Sequence, residues 1–517
     1  MVARPAFREF TQLLDPRLVV LFALLHFCFL TLSFFRFRSL SRKTVSEKIV
    51  AGLPQVKKEI TQVLKDSPSR ISCTTDGWTS EAKESYIVVT AHFIDHAWKM
   101  QGLIIAFEHM PESHTGQHLC NRLVRVAKDF GIEGKISCII SDNANSAMSG
   151  ITLATKAMST ASNTVIPLRC LAHIINLVVG EGFKTLAEPL KTLKAMTTFL
   201  RASNTALSSL KGFCQGNKEK YRKPQIDSKT RWNSTLVMIT SLNGMRKSLD
   251  QLKHTKIVDE GLTEDDWAQL ELFINLLKPF KGATEFLSGS SYCTLSIAGR
   301  VVRKLWEHLN DSVEAVKGVG VLQMIEKLQK YWEDVQDQSF LPSFFDPRTL
   351  PLLMKNANDR HVTLAAVKKL LKKPSIPTKP KEESFLDTLD DDEEEEDKDT
   401  EGFPELREYS QINGIHKNED PLKWWAENEQ RFPTIAILAR DSLGMLASTV
   451  PSEEAFSAAG NTITKKRSRL KPKTVEALIV SQSWRRYLRK LQPQQQEDQG
   501  EDQGEYKEGE EDEEIRE

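Results

Sequence analysis

The chain has 517 residues, of which 40% are hydrophobic, and its 70 basic and 70 acidic side chains cancel to a formal charge of zero. This length exceeds what one hydrophobic core usually serves, so we expect two or more domains and exclude a small disulfide-stapled scaffold. The seven cysteines form no C-x-x-C pair, so the sequence contains no zinc-finger spacing, and a reducing compartment is expected.

The charges are unevenly distributed along the chain. Residues 381–401 carry a net charge of −11 and residues 493–517 carry −10, which leaves +21 for the rest. A body of that charge should attract polyanions, of which nucleic acid is the obvious one. The alternative is that the acidic segments only keep the chain soluble.

An uncharged apolar run, "LVVLFALLHFCFLTLSFF", occupies residues 18–35. Its length reaches the lower limit for a membrane span, and Arg4, Arg8 and Arg17 precede it as in a signal anchor. Phe, Leu, Ser and Cys are also encoded largely by pyrimidine-rich codons, so a translated intron gives the same composition. Both interpretations stay open from the residues alone.

Beyond residue 40 the pattern changes from strands with short polar connections to strands separated by helices. The predicted strands are residues 71–75, 86–94, 99–109 and 135–141. A helix is expected between the third and fourth strands, with Thr115 as N-cap and Gly131 as its stop. The segment "IPLRCLAHIINLVV" indicates a further strand that leads into a helix. The first three strands should form an antiparallel meander, and the whole predicts a mixed α/β sheet.

From about residue 186 the pattern is helical only. Thr263 and Asp266 form a plausible capping pair ahead of apolar residues at helical spacing. Residues 374–404 are rich in proline and then in acid, which is typical of a disordered linker. Order is expected to return and to continue to about residue 490.

Two acids, Asp76 and Asp142, each follow an apolar strand and precede residues typical of a turn. Taken singly, each is more often a turn former than a ligand. Taken together, they would lie at the rim of one sheet, where two carboxylates can share divalent ions for phosphoryl transfer. Mg²⁺ prefers oxygen ligands and keeps several waters, so a few protein acids suffice.

Two short motifs suggest nucleic-acid contacts. Cys170 and His173 are half of a zinc set, and His173 could meet a phosphate or be a buried, hydrogen-bonded side chain. In "TRWNST", Arg231 could pair with phosphate and Trp232 could stack on a base, although most tryptophans simply pack in cores.

The run "TKKRSRLKPK" places six basic residues within 465–473. It is typical either of an exposed cationic segment or nuclear address, or of a contact with the DNA backbone. The candidate contacts are Lys465, Lys466, Arg467 and Arg469. The sequence has no G-x-S-x-G, P-loop, dinucleotide or H-E-x-x-H motif, which disfavours a hydrolase or a cofactor enzyme.

Seven segments in order resemble the hAT superfamily of DNA transposases, and in particular its domesticated BED-type zinc-finger relatives. They are "TTDGWTS", "MPESHTGQ", "SDNANSAM", "LRCLAHIINL", "TRWNST", "DPLKWW" and "VPSEEAFSAAGNTITKKRSRLKPKTVEALI". The resemblance implies an RNase H-like core that a long helical insertion interrupts. It also implies an acidic triad, in which Asp76, Asp142 and Glu453 hold Mg²⁺ and Glu454 replaces the usual arginine beside the metal site.

The resemblance further implies that Cys170 and His173 lie near the active site, that Trp232 stabilises a flipped base, and that the C-terminal region dimerises. The predicted divisions are 1–40 (N-terminal remnant with the apolar insertion), 41–185 (RNase H-like core, first part), 186–373 (helical insertion), 374–404 (acidic linker), 405–490 (core completion and dimerisation region) and 491–517 (acidic tail). The family's BED zinc finger is missing from the sequence. The apolar run splits an otherwise continuous family segment, which favours the intron explanation over a membrane span.

Three functions are therefore expected, in this order. The first is a transposase-derived nuclear protein that binds DNA and self-associates, with its acids retained. The second is an active Mg²⁺-dependent strand-transfer enzyme. The third is a membrane-anchored interaction protein that uses residues 18–35.

Overall fold

The fold is seen in a computed structural model. It describes residues 41–80, 83–112, 115–161, 163–228, 231–257, 261–316, 320–355, 357–371, 400, 402–463 and 470–491. The predictions for the apolar run, for most of the acidic linker, for the basic residues 465–469 and for the tail fall outside these residues. Among the helices that are described, none is both long and apolar enough to cross a membrane.

One five-stranded sheet has the spatial order β3-β2-β1-β4-β5. Its strands are β1 (Ile71–Thr79), β2 (Ser85–Ile94), β3 (Met100–His109), β4 (Ile136–Ser141) and β5 (Ile166–Arg169). The pairs β1–β2 and β2–β3 are antiparallel, whereas β1–β4 and β4–β5 are parallel. The predicted meander and the mixed α/β fold class are confirmed.

Helices cover one face of the sheet. They are α1 (Arg42–Asp66), α2 (Gly116–Phe130) and α3 (Asn145–Met158). The Thr115 side chain caps α2 by accepting a hydrogen bond from the His118 N–H, and Gly131 ends the helix at a φ of 61°. Both predicted signals are therefore used, because a left-handed residue at this place suits glycine. Val89, Ala91 and Phe93 of β2 are buried on this face.

Between Leu171 and Leu371, the described residues form helices and connecting loops and no strand. The helices are α4 (Leu171–Thr185), α5 (Ala187–Ala202), α6 (Asn204–Gly216), α7 (Trp232–Asn243), α8 (Arg246–His254), α9 (Glu264–Leu287), α10 (Ala298–Ser312), α11 (Val321–Gln329), α12 (Trp332–Phe344), α13 (Leu350–Lys355) and α14 (Ala357–Leu371). Thr263 and Asp266 form a complete capping box at the start of α9. Trp267, Phe273 and Phe280 of α9 are fully buried, so these aromatic residues form core, as expected.

The last segments that the structure describes, 402–463 and 470–491, return to the sheet. Their helices are α15 (Pro404–Ser410), α16 (Pro421–Asn428), α17 (Pro433–Leu443), α18 (Val450–Thr462) and α19 (Pro472–Leu491). Phe456 of α18 stacks on Trp78 of β1 with ring centroids 5.8 Å apart. The Trp484 indole of α19 donates to Glu59 of α1 at 2.9 Å. The contact of Phe456 with Trp78 brings the start of α18, which carries Glu453, close to β1, the strand that carries Asp76.

Candidate active site

The register between β1 and β4 places the two predicted acids side by side. Thr74 is the last residue of β1 to pair with β4, and its partner is Ile140. Asp76 and Asp142 each lie two residues further along parallel strands, so they leave the paired region at the same edge of the sheet. This edge is where the chemistry was predicted.

One detail of the prediction is wrong. The strand was predicted to end at residue 75 and to be followed by a turn after Asp76, but Asp76 lies inside β1, because Gly77, Trp78 and Thr79 continue to pair with β2. The stacking of Trp78 on Phe456 supports this extension. Asp76 is nevertheless beyond the last pair with β4, and this side of the strand is open.

Both acids line one cleft of about 270 Å³, together with Thr115, Ser141 and Ser146. The Gly77 N–H donates to Asp76 Oδ1 at 2.7 Å. The Ala144 N–H donates to Asp142 Oδ1 at 3.3 Å. Each carboxylate therefore has one local backbone donor, and within the part of the chain that the structure describes its other oxygen has no protein partner that would compete with a ligand.

The electrostatics of Asp76 bring in the third acid. Burial, together with the charges of Asp142 and then Glu453, raises the pKa of Asp76 to about 7, while the hydrogen bond from the Gly77 N–H opposes this shift. Like charges act this way only when they are near, because each disfavours ionisation of the other. A divalent cation between the acids would relieve this repulsion.

Glu453 does not face the cleft as a free ligand. It lies in the first turn of α18, and its Oε2 accepts from Arg231 Nη2 at 2.6 Å. Across the described part of the chain, no three His, Cys, Asp or Glu side chains are arranged to hold one ion. The residues present thus fit a cation held by Asp76, Asp142 and waters, the sparse ligation that Mg²⁺ accepts.

Arg231 was predicted to contact nucleic acid. In the structure its guanidinium pairs with Glu453, so it competes with a bound cation for that carboxylate. Replacing it, Arg231→Gln, should raise Mn²⁺ affinity up to about 5-fold, because a pair this exposed is worth no more than about 1 kcal/mol. Calorimetric titration with Mn²⁺ measures the change. Arg246→Gln is the matched control, since Arg246 pairs with Glu264 on the helical part of the chain. Weaker Mn²⁺ binding in Arg231→Gln would contradict the competition.

A buried chain of hydroxyl groups fixes α18 on the sheet. Ser452 Oγ lies 2.7 Å from Thr74 Oγ1, which lies 2.5 Å from Thr90 Oγ1, and Thr90 Oγ1 lies 2.8 Å from His92 Nε2. All four side chains are 2% exposed or less. Because Ser452 precedes Glu453, this chain sets the position of the third acid relative to β1.

Removing the middle of this hydroxyl chain should destabilise the fold. Thr74→Val leaves Ser452 and Thr90 with fewer partners in a dry interior, at an expected cost of about 1–3 kcal/mol in the free energy of unfolding. Urea unfolding measures it, with Thr79→Val as the control because Thr79 is an exposed residue of the same strand. Equal stability of the two variants would show that the chain of hydroxyl groups does not hold α18.

Three family descriptions match parts of this chain. The hAT family C-terminal dimerisation region matches residues 405–485, the ZBED1 RNase-like domain matches 74–166, and the ZBED1 RNase-like helical domain matches 168–276. The chain belongs to the hAT family of transposase-derived proteins. The matches place Asp76 and Asp142 in the RNase-like part and Glu453 in the dimerisation region.

Full-length relatives agree with this membership. The putative AC transposase of Zea mays is 29% identical over 86% of this chain, and the chain spans 60% of its length. The BED-type zinc-finger protein DAYSLEEPER of Arabidopsis thaliana is 23% identical over 94% of the chain and 71% of its own length. RICESLEEPER 2 of Oryza sativa subsp. japonica is 22% identical over 94% of the chain and 72% of its own length.

The C-x-x-H element of this hAT chain lies beneath the start of α18. Cys170 is 1% exposed, and its Sγ accepts from the Thr449 N–H at 3.4 Å. Burial raises the pKa of the Cys170 thiol, and the charge of Glu453 adds to it. His173 is half-buried in the first turn of α4. Cys170 therefore supports the acidic site from below, and a role of either residue in DNA contact stays a prediction.

Trp232 is 6% exposed and lies in the main hydrophobic core. Its backbone N–H donates to Asn176 Oδ1 at 3.3 Å, and its indole Nε1 is buried without a partner in the described structure. A base could stack on this ring only after the indole left the core. Its assignment to a flipped base stays a prediction.

Glu454 is exposed and lines a different cavity, with Arg486 and Lys490. The carboxylates that act on Asp76 are Asp142 and Glu453, and Glu454 is not among them. The placement of Glu454 beside the metal site, which the resemblance implied, is therefore wrong, because successive helical residues point about 100° apart. The sequence motif places Glu454 next to the site, whereas the helix turns it away.

Sequence reasoning missed the hydroxyl chain and the Arg231–Glu453 pair. Nothing in "SYIVVTAHFI" distinguishes His92 from an exposed strand histidine. Arg231 and Glu453 are 222 residues apart along the chain, so no local spacing connects them. Their pairing requires knowledge of where α18 lies.

Proposed function

We propose that this chain is a nuclear DNA-binding protein that self-associates through residues 405–485 and keeps Asp76 and Asp142 as a divalent-cation site. The observation that carries the proposal is the convergence of Asp76 and Asp142 on one cleft, with Glu453 near enough to raise the pKa of Asp76. The names of the maize and rice relatives, a putative transposase and a BED-type zinc-finger protein, support a DNA partner. The hAT dimerisation region supports self-association.

The charges of the chain fit this partner. The body outside the two acidic segments carries +21. Arg231 lies beside the acids with 58% of its side chain exposed, so it can leave Glu453 for a phosphate. Guanidinium pairs with phosphate through two parallel hydrogen bonds, which a lysine cannot reproduce.

Salt dependence tests the DNA-binding proposal. The logarithm of the binding constant should fall linearly with the logarithm of salt concentration, by roughly 0.9 for each phosphate neutralised. Changing Lys465, Lys466, Arg467 and Arg469 together to Gln should reduce this slope by about 3–4. The matched control changes four exposed lysines of α1, namely Lys43, Lys48, Lys58 and Lys65, to Gln. A flat salt response, or equal loss in both quadruple variants, would contradict the proposal.

A second function is favoured by the pair of acids themselves. If the cleft is active, a bound Mg²⁺ would activate the attacking oxygen and stabilise the leaving one. The chain's own contribution is to hold Asp76 and Asp142 at one edge, and to offer Arg231 as a counter-charge for phosphate. Incubation with Mn²⁺ and nicked or hairpin DNA separates the two functions. Metal-dependent cleavage that disappears in Asp142→Ala would establish that the chain is an enzyme. If the parent chain does not cleave DNA, the DNA-binding function alone is supported.

A further inference from the structure

A second cavity, of about 160 Å³, lies between β3, α18 and α19. It shares no lining residue with the acidic cleft. Neither the metal site nor the DNA contacts proposed above use it. Its floor carries a buried histidine and its mouth carries two cations.

The floor is His92, which is 2% exposed. Its Nε2 is hydrogen-bonded with Thr90 Oγ1 at 2.8 Å, whereas its Nδ1 is buried without a partner in the described structure. A buried nitrogen without a hydrogen-bond partner destabilises the fold, so a ligand that forms a hydrogen bond with it is bound more tightly.

Gly102 keeps the space in front of this nitrogen open. It is the cross-strand partner of His92, and a Cβ at this position would lie 2.9 Å from His92 Nδ1. Any larger residue would therefore close the approach to the histidine. The missing side chain leaves room beside this nitrogen, and both His92 and Gly102 line the cavity.

The mouth is cationic. Arg486 and Lys490 lie one turn apart on α19, both are exposed, and neither has a hydrogen bond or ion pair in the described structure. Two further arginines occupy the last turns of α19, and burial, followed by the charge of Arg489, lowers the pKa of Arg485. Glu454 is the one acid among the lining residues. The local charge therefore favours an anion over a cation.

The histidine can supply a donor without being charged. Burial lowers the pKa of His92 to about 4, so the ring is neutral at pH 7. When the Thr90 hydroxyl donates to Nε2, the remaining proton is on Nδ1 and faces the cavity. A small polyoxyanion with several acceptors matches one N–H at the floor and two cations at the mouth.

We propose that this cavity is a phosphate-binding site, in which His92 Nδ1–H donates to one phosphate oxygen and Arg486 and Lys490 neutralise the charge. Inorganic phosphate and the terminal phosphate of an oligonucleotide share this chemistry. The hydroxyl groups of Ser290 and Ser291 line the same cavity and can accept or donate at its rim. This site is independent of the metal site and does not rest on the proposed function.

Calorimetric titration of the full chain with inorganic phosphate, without DNA or divalent metal, tests the proposal. We expect saturable binding that Arg486→Gln combined with Lys490→Gln weakens by about 10-fold or more, since the double variant removes both charge-assisted contacts at the mouth of the cavity. Arg489→Gln is the matched control, because it is an exposed cation of α19 outside the cavity. It should change the affinity by about 2-fold or less.

Gly102→Ala tests the floor of the cavity separately and should abolish phosphate binding. The surface variants at Arg486 and Lys490 should keep the fold. A circular dichroism spectrum shows whether Gly102→Ala is folded. If it is not, the double variant of Arg486 and Lys490 alone tests the phosphate site. A 5′-phosphorylated oligonucleotide compared with its unphosphorylated form distinguishes a terminal phosphate from free phosphate as the source. Absence of saturable phosphate binding, or equal loss in Arg489→Gln and the double variant, would overturn the proposal. Because no DNA or metal is present in the titration, failure here leaves the DNA-binding function untouched.

Discussion

Replacing Asp142 by Asn should weaken Mn²⁺ binding at the acidic cleft by more than about 100-fold. Asp76 and Asp142 are the two carboxylates that line the cleft, and the loss of a direct ligand should exceed the 10–100-fold cost of changing an outer hydrogen-bond partner. Calorimetry with Mn²⁺ in metal-free buffer measures the affinity. Asp129→Asn is the control, because it makes the same chemical change at an exposed position of α2.

The pH dependence of the same titration is a second test of this prediction. With the pKa of Asp76 raised to about 7, a cation must displace a proton at and below neutral pH. Mn²⁺ affinity should therefore rise about 10-fold per pH unit below pH 7 and level off above it. In Asp142→Asn the repulsion from the neighbour is gone, so this dependence should move to lower pH. Undiminished affinity in Asp142→Asn would exclude the cleft as the metal site.

The second large effect is on the free energy of unfolding. Whereas Asp142→Asn should weaken metal binding, Asp76→Asn should make the metal-free chain more stable. In the absence of metal, Asp76→Asn should stabilise the chain at pH 8 by up to roughly 4 kcal/mol, at 1.36 kcal/mol for each pH unit of pKa shift. The folded carboxyl has a pKa raised from 3.8 to about 7, so the folded state binds the proton more tightly than the unfolded state. Stability is then fully present below pH 3.8 and is lost as pH rises through 7.

Urea unfolding at pH 4 and pH 8 in chelator measures this effect. The free energy of unfolding of Asp76→Asn should equal that of the parent chain at pH 4 and exceed it at pH 8. Asp129→Asn should show no such pH-dependent difference. If Asp76→Asn were no more stable than the parent chain at pH 8, the ionised Asp76 carboxylate would not destabilise the metal-free fold, and the prediction would be wrong.

The sheet could be predicted because its signals are local. Thr115 and Gly131 delimit α2, and runs of β-branched and aromatic residues mark the strands. Asp76 and Asp142 could be singled out because each follows a run of the sequence that was predicted as a strand, although Asp76 itself lies inside β1. Their parallel register then brings them to one edge of the sheet. No single segment reveals this register, but the order of strands and helices predicts it for a mixed sheet.

The rest of the site depends on long-range packing. Glu453 could be assigned only through its resemblance to the family motif, since it lies 222 residues beyond its partner Arg231. The direction of Glu454 depends on how α18 turns against β1. The burial of Trp232 and of His92 depends on neighbours from distant segments. These features follow from tertiary contacts, which local patterns of polar and apolar residues do not encode.

The most direct test of the central claim is the anomalous scattering of crystals grown with Mn²⁺. A shared cation site predicts a peak in the cleft, at coordination distance of about 2.0–2.2 Å from oxygens of both Asp76 and Asp142. A second peak nearer Glu453, with Arg231 displaced, would agree with the competition described above. A peak bound to only one of the two acids, or no peak in the cleft at saturating Mn²⁺, would contradict it.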